Sequence, residues 1–478
     1  MTMKTTYRLL ALALLVSGAC SFDITNPNTP PLLGANPTRE QVQEAVSGLL
    51  LGARADYADW ALEAGIVGRE AYRFDASDPR WIDELLTGPL DPGNIRFGGD
   101  HWFEQYRNIR TGHNILKVIG TATALTAQEQ DAVRGFVKTV QALDFIAVLD
   151  AHGQDSIPIA VSGDPVKDPP APFETNTVAW AYVSALLDTA ENLLRTGGSA
   201  FPFQLTSGFG GFSTPATFAK FNRALKSRVE VYRGSMLLFG CGVDGTTCFG
   251  RALTILEDPD SSFLSTTAPL SRGVYHVYGT GSGDLANPLF QDTATSIQLV
   301  HPSIFTDAES SSAIPRQIDR RFATKVARTA PPRSGGDPPL ASDLVWIRYL
   351  SPIDPVPIIR NEELILLRAE ARLGTGNLSG ALDDVNVVRQ TSGGLDPIAL
   401  ATWTALTPDE QLNRVLKERR YSLLFEGGHR WIDARRTNRL AQIPIDRPPD
   451  PAANFPGDVV HKTWPIPTDE VLARKPLP

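Results

Sequence analysis

Apolar residues recur every three or four positions along much of this chain, and helix-start signals precede them. Thr38-Arg39-Glu40-Gln41 has the form of a capping box ahead of Val42, Val46, Leu49 and Leu50. Thr126-Ala127-Gln128-Glu129 repeats the device before Val133, Phe136, Val140, Leu143 and Ala147. Thr407-Pro408-Asp409-Glu410 is a further one, with proline at the first helical position. Residues 175–196 and 215–239 share the period, the second through Phe218, Phe221, Leu225, Val229 and Tyr232. Arg360–Leu373, the turn Gly374-Thr375-Gly376-Asn377 and Leu378–Arg389 predict a helical hairpin. Its length is close to the ~34 residues of a tetratricopeptide unit. Leu364, Leu367 and Ala371 on one helix face Ala381, Val385 and Val388 on the next. A lone pair cannot bury such faces, so it must stack on others, within 102–151 and 175–240.

Between about 240 and 358 the texture changes to Gly, Ser, Thr, Pro and aromatics, and long helical periodicity disappears. Val274-Tyr275-His276-Val277-Tyr278 alternates like a strand before Gly279-Thr280-Gly281-Ser282-Gly283 breaks it. Val345–Tyr349 reads as a second strand. The pattern predicts a mainly α fold over 38–478, long enough for one large domain or two to three ordinary ones and taken here as one. Its tetratricopeptide-like helical-hairpin scaffold spans 38–240 and 358–440, around a loop-rich, partly β region at 241–357. Loop-rich insertions on a rigid scaffold are a common place for binding sites.

The N-terminus adds an address. Lys4 and Arg8 flank the wholly apolar Leu9–Val16, and Ser17-Gly18-Ala19-Cys20 follows. That run is far short of the ~20 residues a membrane span needs. It reads as a signal peptide over 1–19 ending at a lipidated Cys20, with 20–37 as a polar tether. The net charge of −8 argues against nucleic acid, whose phosphates need a basic footprint. Nor does it favour holding an anionic bilayer through basic patches, so the lipid provides the attachment. Cys241 and Cys248 are separated by Gly-Val-Asp-Gly-Thr-Thr, which brings them within disulfide reach in an oxidising compartment. A zinc site would need a nearby His to complete its ligands, and none is close.

Enzymatic signatures are lacking: there is no Gly-x-Ser-x-Gly, His-Glu-x-x-His or Walker A sequence. Glu362-Glu363 and Asp383-Asp384 fall in predicted helices, where neighbours point to different faces. The residues point to a binder rather than an enzyme, with no cofactor and no metal.

A series of landmarks resembles the SusD/RagB family. Trp102-Phe103-Glu104-Gln105-Tyr106 with Asn114, Ala224-Leu225 with Arg228, and Asp319-Arg320-Arg321 match in order. Arg360, Glu363, Ala369-Glu370-Ala371, Asn386 and Arg389 match the helical hairpin, and Pro465-Ile466-Pro467 the closing segment. The most distinctive stretch is Glu418-Arg419-Arg420, then Phe425-Glu426-Gly427, Arg430 and Asp433. Gly428-His429 stands where the family usually has one residue, and Ala434 where it usually has Leu. The resemblance implies an outer-membrane, surface-facing lipoprotein that binds oligosaccharide or another nutrient. It would deliver that ligand to a SusC-like, TonB-dependent transporter. A second reading is a tetratricopeptide-like scaffold lipoprotein that binds only protein partners.

Glu418, Arg419, Glu426, Arg430 and Asp433 are expected to form a fold-defining ion-pair network, with Gly427 in the same structural motif, because they are interleaved with Leu416, Tyr421, Leu424 and Trp431. Glu426-Gly427-Gly428 is expected to end a helix there, with glycine in the left-handed conformation. Sugar recognition requires aromatic faces and hydrogen-bonding side chains outside the helical pattern. Trp81, Tyr275 and Tyr278 are the first choices as ligand-binding residues, with Asp284 among the polar neighbours.

Overall fold

A computed structural model of the chain describes residues 33–153, 155–163 and 167–474. The expected signal peptide 1–19 and the lipidation site Cys20 lie outside the described residues.

The helices begin where their caps dictate. α1 (Arg39–Arg54) starts from the Thr38–Gln41 capping box, and α2 (Tyr57–Val67) follows after a short break. α3 (Asp100–Ile119), α4 (Ala127–His152), α5 (Asn176–Thr196) and α6 (Pro215–Ser235) then pack side by side in chain order. α4 is opened by the Thr126–Glu129 box, while Thr214 and Thr217 form another ahead of Pro215. Later come α7 (Thr246–Leu256), the hairpin α8 (Asn361–Gly374) and α9 (Leu378–Val388), then α10 (Pro408–Ser422) and α11 (His429–Arg436). The hairpin does not stand alone: α8 packs on α6, α7 and α10. The fold is mainly α.

Among the described residues six strands form two sheets. β1 (Ala71–Arg73), β3 (Gln298–Val300), β5 (Leu340–Trp346) and β4 (Val326–Gly335) form an antiparallel sheet in the order β1-β3-β5-β4. β2 (Gly273–His276) pairs antiparallel with β6 (Val356–Arg360), with a register shift between Val274 and Tyr275. The main apolar core runs from Val46 and Leu49 of α1 through α3–α6 to Trp346, Phe425, Trp431 and Trp464. A smaller core fills the space among α8, α9 and α10 around Ala381, Val385 and Trp403.

The charged stretch near the C-terminus is buried and cross-linked. Arg419 donates to Asp433 at 2.7 Å, and Arg436 reaches both Asp433 and Glu370. Glu418 lies 2.7 Å from Arg321 as an ion pair and accepts from Arg389 at 2.6 Å. Glu426 takes Arg360 at 2.8 Å and Lys325 at 3.3 Å, and Arg228 grips Glu363 with two 2.7 Å bonds. Breaking one such pair leaves a buried charge uncompensated, at a cost of about 3–5 kcal/mol. Arg430 departs from the expectation: its Nη1 donates to the Arg69 carbonyl at 2.6 Å, not to a carboxylate.

Three local readings change. The region expected to be loop-rich and partly β also contains α7, which begins inside the Cys241–Cys248 loop; the two cysteines are bonded, with Cα atoms 4.7 Å apart. The helix expected to run to Glu426 stops at Ser422, and the left-handed glycine Gly428 (φ 71°) caps the start of α11 instead. Arg360 ends β6 rather than opening a helix, which turns its guanidinium towards Glu426.

Candidate functional site

β2 alternates as a half-buried strand should. Val274 and His276 point inward, and the intervening Tyr275 is half-buried on the outer side. Gly208 lets a turn at Ser207–Phe209 lie directly against it, since a Cβ there would come 2.1 Å from the Tyr275 carbonyl oxygen. Across the gap lies the C-terminal half of α1. The result is a cleft of about 370 Å³ lined by Ser47, Leu51, Arg54, Phe209, Tyr275 and Asp284 among others.

One ion pair closes the far wall. Arg54 at the end of α1 pairs with Asp284 in the glycine-rich loop after β2. That loop is held by the Gly279 N–H donating to the Leu285 carbonyl at 2.9 Å, while Asp284 also accepts from the Leu285 N–H at 2.8 Å. The Arg54 guanidinium lies 5.4 Å from the Tyr278 ring centroid. Gly48, Leu51 and Gly283 also line a second hollow of about 330 Å³, which continues past the loop to Glu104, Arg107 and Asn108 on α3. α1 and α3 approach closely there, because a Cβ on Gly52 would meet Asn108 Oδ1 at 2.1 Å.

The cleft carries both ring surface and hydrogen-bonding groups. Tyr275 and Phe209 supply ring surface, while Ser47, Thr206, Ser282 and the Arg54–Asp284 pair supply hydrogen-bonding groups. Asp284 is the single carboxylate on the cleft lining, whereas glycoside hydrolysis uses two facing carboxyl groups. His276 is pushed down to about 3 by burial and by Arg54, so it is neutral. Among the described residues, no three His, Cys, Asp or Glu side chains converge as a metal-ligand set.

The three aromatic first choices have different fates. Tyr275 lines the cleft. Tyr278 is 7% exposed and sits under Arg54, so it supports the wall; burial raises its hydroxyl pKa, and its Oη has no hydrogen-bond partner. Trp81 does not face a ligand. It is 1% exposed, packs edge-on against Phe97, and lies under the guanidinium groups of Arg73 and Arg96 at 4.3 and 4.8 Å. The reason is physical: a Trp ring is the largest apolar surface in its segment, and it goes into the core together with Ile82, Leu85 and Leu86. Sequence reasoning missed Arg54, Ser47 and Phe209. Arg54 carried a weak signal, as a basic residue in the last turn of an amphipathic helix.

Residues 353–473 match the model of the SusD family. No curated protein matches the chain. Among solved structures, a SusD-like carbohydrate-binding protein from Bacteroides fragilis NCTC 9343 shares the fold with TM-score 0.66 and 14% identity, over 91% of this chain and 98% of that one. Surface glycan-binding protein A from Bacteroides uniformis gives 0.63 and 17%, over 91% and 98%. A laminarin-binding SusD-like protein gives 0.59 and 14%, over 90% and 97%. Residues 353–473 thus resemble the SusD family, and over about 91% of its length the chain shares the fold of a SusD-like structure.

Proposed function

We propose that this chain is a surface glycan-binding lipoprotein that captures an oligosaccharide or similar nutrient in the Tyr275 cleft. It hands the ligand to a SusC-like, TonB-dependent outer-membrane transporter. Lipidated Cys20 holds it to the outer membrane, facing the exterior, through the 20–37 tether. Among the described residues no helix is long and apolar enough to cross a membrane.

One observation carries the reading. A partly open aromatic ring, hydroxyl groups and a paired Arg–Asp lie together beside a glycine-rich loop, on a fold shared with proteins described as glycan- or laminarin-binding. Stacking on C–H faces and bidentate hydrogen bonding to vicinal hydroxyls are what such a set does.

The test is a glycan-array screen on soluble protein starting after Cys20, repeated with Tyr275→Ala and Arg54→Ala. Binding to one glycan class, reduced about tenfold or more by both substitutions while the melting temperature holds, is the expected result. Array binding that survives both substitutions would place the glycan elsewhere. Co-purification with a SusC-like barrel from the source cells tests delivery, and a monodisperse protein that brings down no such barrel would end that half of the reading.

A further inference from the structure

On a different face, cations outnumber the carboxylates available to them. α10 presents Asn413, Leu416, Lys417 and Arg420 along one stripe, and α11 adds Arg430. The turn carrying Asp307 and Glu309 stands opposite, and a pocket of about 540 Å³ lies between them.

The partners can be assigned one by one. Glu309 is shared by Arg389 at 2.9 Å and by Arg414 and Lys417 at 3.0 Å each. Asp307 takes Arg420 at 2.8 Å. Asp433 also lines the pocket, but Arg419 and Arg436 already hold its two oxygens at 2.7 and 2.9 Å. Arg430 is left over. Among the described residues no carboxylate lies within ion-pair distance of it, and its hydrogen bond goes to the Arg69 carbonyl. The Arg420 Nε beside it is buried without a hydrogen-bond partner. Burial, then the field of Arg420, pushes Arg430 down to about 9. The fields of Glu70 and then Asp307 oppose this; Glu70 is itself pushed up to about 7 by burial, and Asp307 is paired with Arg420. Arg430 is half-buried, and a partly desolvated guanidinium without a counter-charge is costly, so an anion entering the pocket would offset that cost.

The walls say more than anion. Leu416, Ala434 and Ile443 offer apolar surface, Asn413 and Gln442 offer amides, and the volume suits one sugar ring. We infer that this pocket binds the carboxylate of an acidic sugar residue, a uronate, with Arg430 and Arg420 on the carboxylate and the amides on its hydroxyls. The inference concerns a site apart from the Tyr275 cleft and does not rest on it.

The experiment titrates glucuronate, glucose and inorganic sulfate separately into the protein starting after Cys20, followed by calorimetry and ligand-observed NMR at low salt. Glucuronate is expected to bind with an affinity that falls with salt, and glucose is not. Arg430→Gln should weaken glucuronate about tenfold or more, and Tyr275→Ala should leave it unchanged. Because Arg430 is half-buried and holds the Arg69 carbonyl, Lys417→Gln on the half-exposed rim is the second variant, with a few-fold loss expected and the fold retained. Three results overturn the inference: no glucuronate binding to the unsubstituted chain, binding undiminished in both variants, or sulfate binding as tightly as glucuronate, which would leave an ion site only.

Discussion

Trp346 of β5 lies flat on Phe425, with ring centroids 4.1 Å apart and 3° between their planes. Phe425 holds a left-handed backbone (φ 60°), so this stacked contact fixes a strained corner of the Glu418–Asp433 stretch onto the sheet. Phe425→Ala removes the ring from a fully buried site and is expected to cost about 3–5 kcal/mol. Chemical denaturation read by Trp fluorescence measures it.

Acid should loosen the ion-pair network in a defined window. Burial alone would raise the Glu362 and Asp433 carboxyls, but Arg360 beside the first and Arg419 with Arg436 beside the second hold each at about 2. Their folded pKa lies below the unfolded value of about 4, so their contribution is present above pH ~4 and lost as pH falls towards 2. The melting temperature should drop over that interval. Glu362→Gln should flatten the drop, and an unchanged slope would show that other carboxylates control acid unfolding.

The disulfide should matter through the unfolded chain. Cys241 and Cys248 are seven positions apart and both fully buried. Closing so short a loop is worth about 2–3 kcal/mol in the chain-entropy account. Replacing both by Ser should lower stability by that amount, and mild reductant should not touch the native bond. Thermal melts with and without reductant test both statements.

Trp81 and Tyr275 should separate cleanly. Trp81→Ala opens a cavity under Arg73 and Arg96 and should destabilise by about 3–5 kcal/mol. Tyr275→Ala trims a half-buried ring and should change stability little while weakening ligand binding. Paired melting and binding curves on the two variants show which residue belongs to the fold and which to the cleft.

Gly208→Ala is a sharper probe of the cleft, because its Cβ would meet the backbone of β2 and not a flexible side chain. The turn must move away from Tyr275, so ligand affinity should fall together with stability. Binding calorimetry on that variant, with affinity unchanged, would show that the turn does not shape the site.

The helices were legible because their signals are local. A threonine cap, a glutamate or glutamine three residues on and a 3.6-residue apolar period act within one segment, and Thr38, Thr126 and Thr407 cap their helices as the pattern predicts. β1, β3, β4 and β6 were not legible. They are short or Pro-rich, and they exist through pairings such as Leu299 with Val345, across more than forty residues of sequence.

The cleft was half legible for the same reason. By itself the sequence determined the capped helices, the family landmarks, the cysteine pair and Tyr275 as an outward residue of an alternating strand. Tertiary structure alone decided that Trp81 is core, that Arg54 meets Asp284 across the cleft, and that Arg430 has no carboxylate partner among the described residues. Whether an aromatic ring or a guanidinium faces solvent, a partner or an empty pocket depends on which distant segments close over it. No residue records that in its own neighbourhood along the chain.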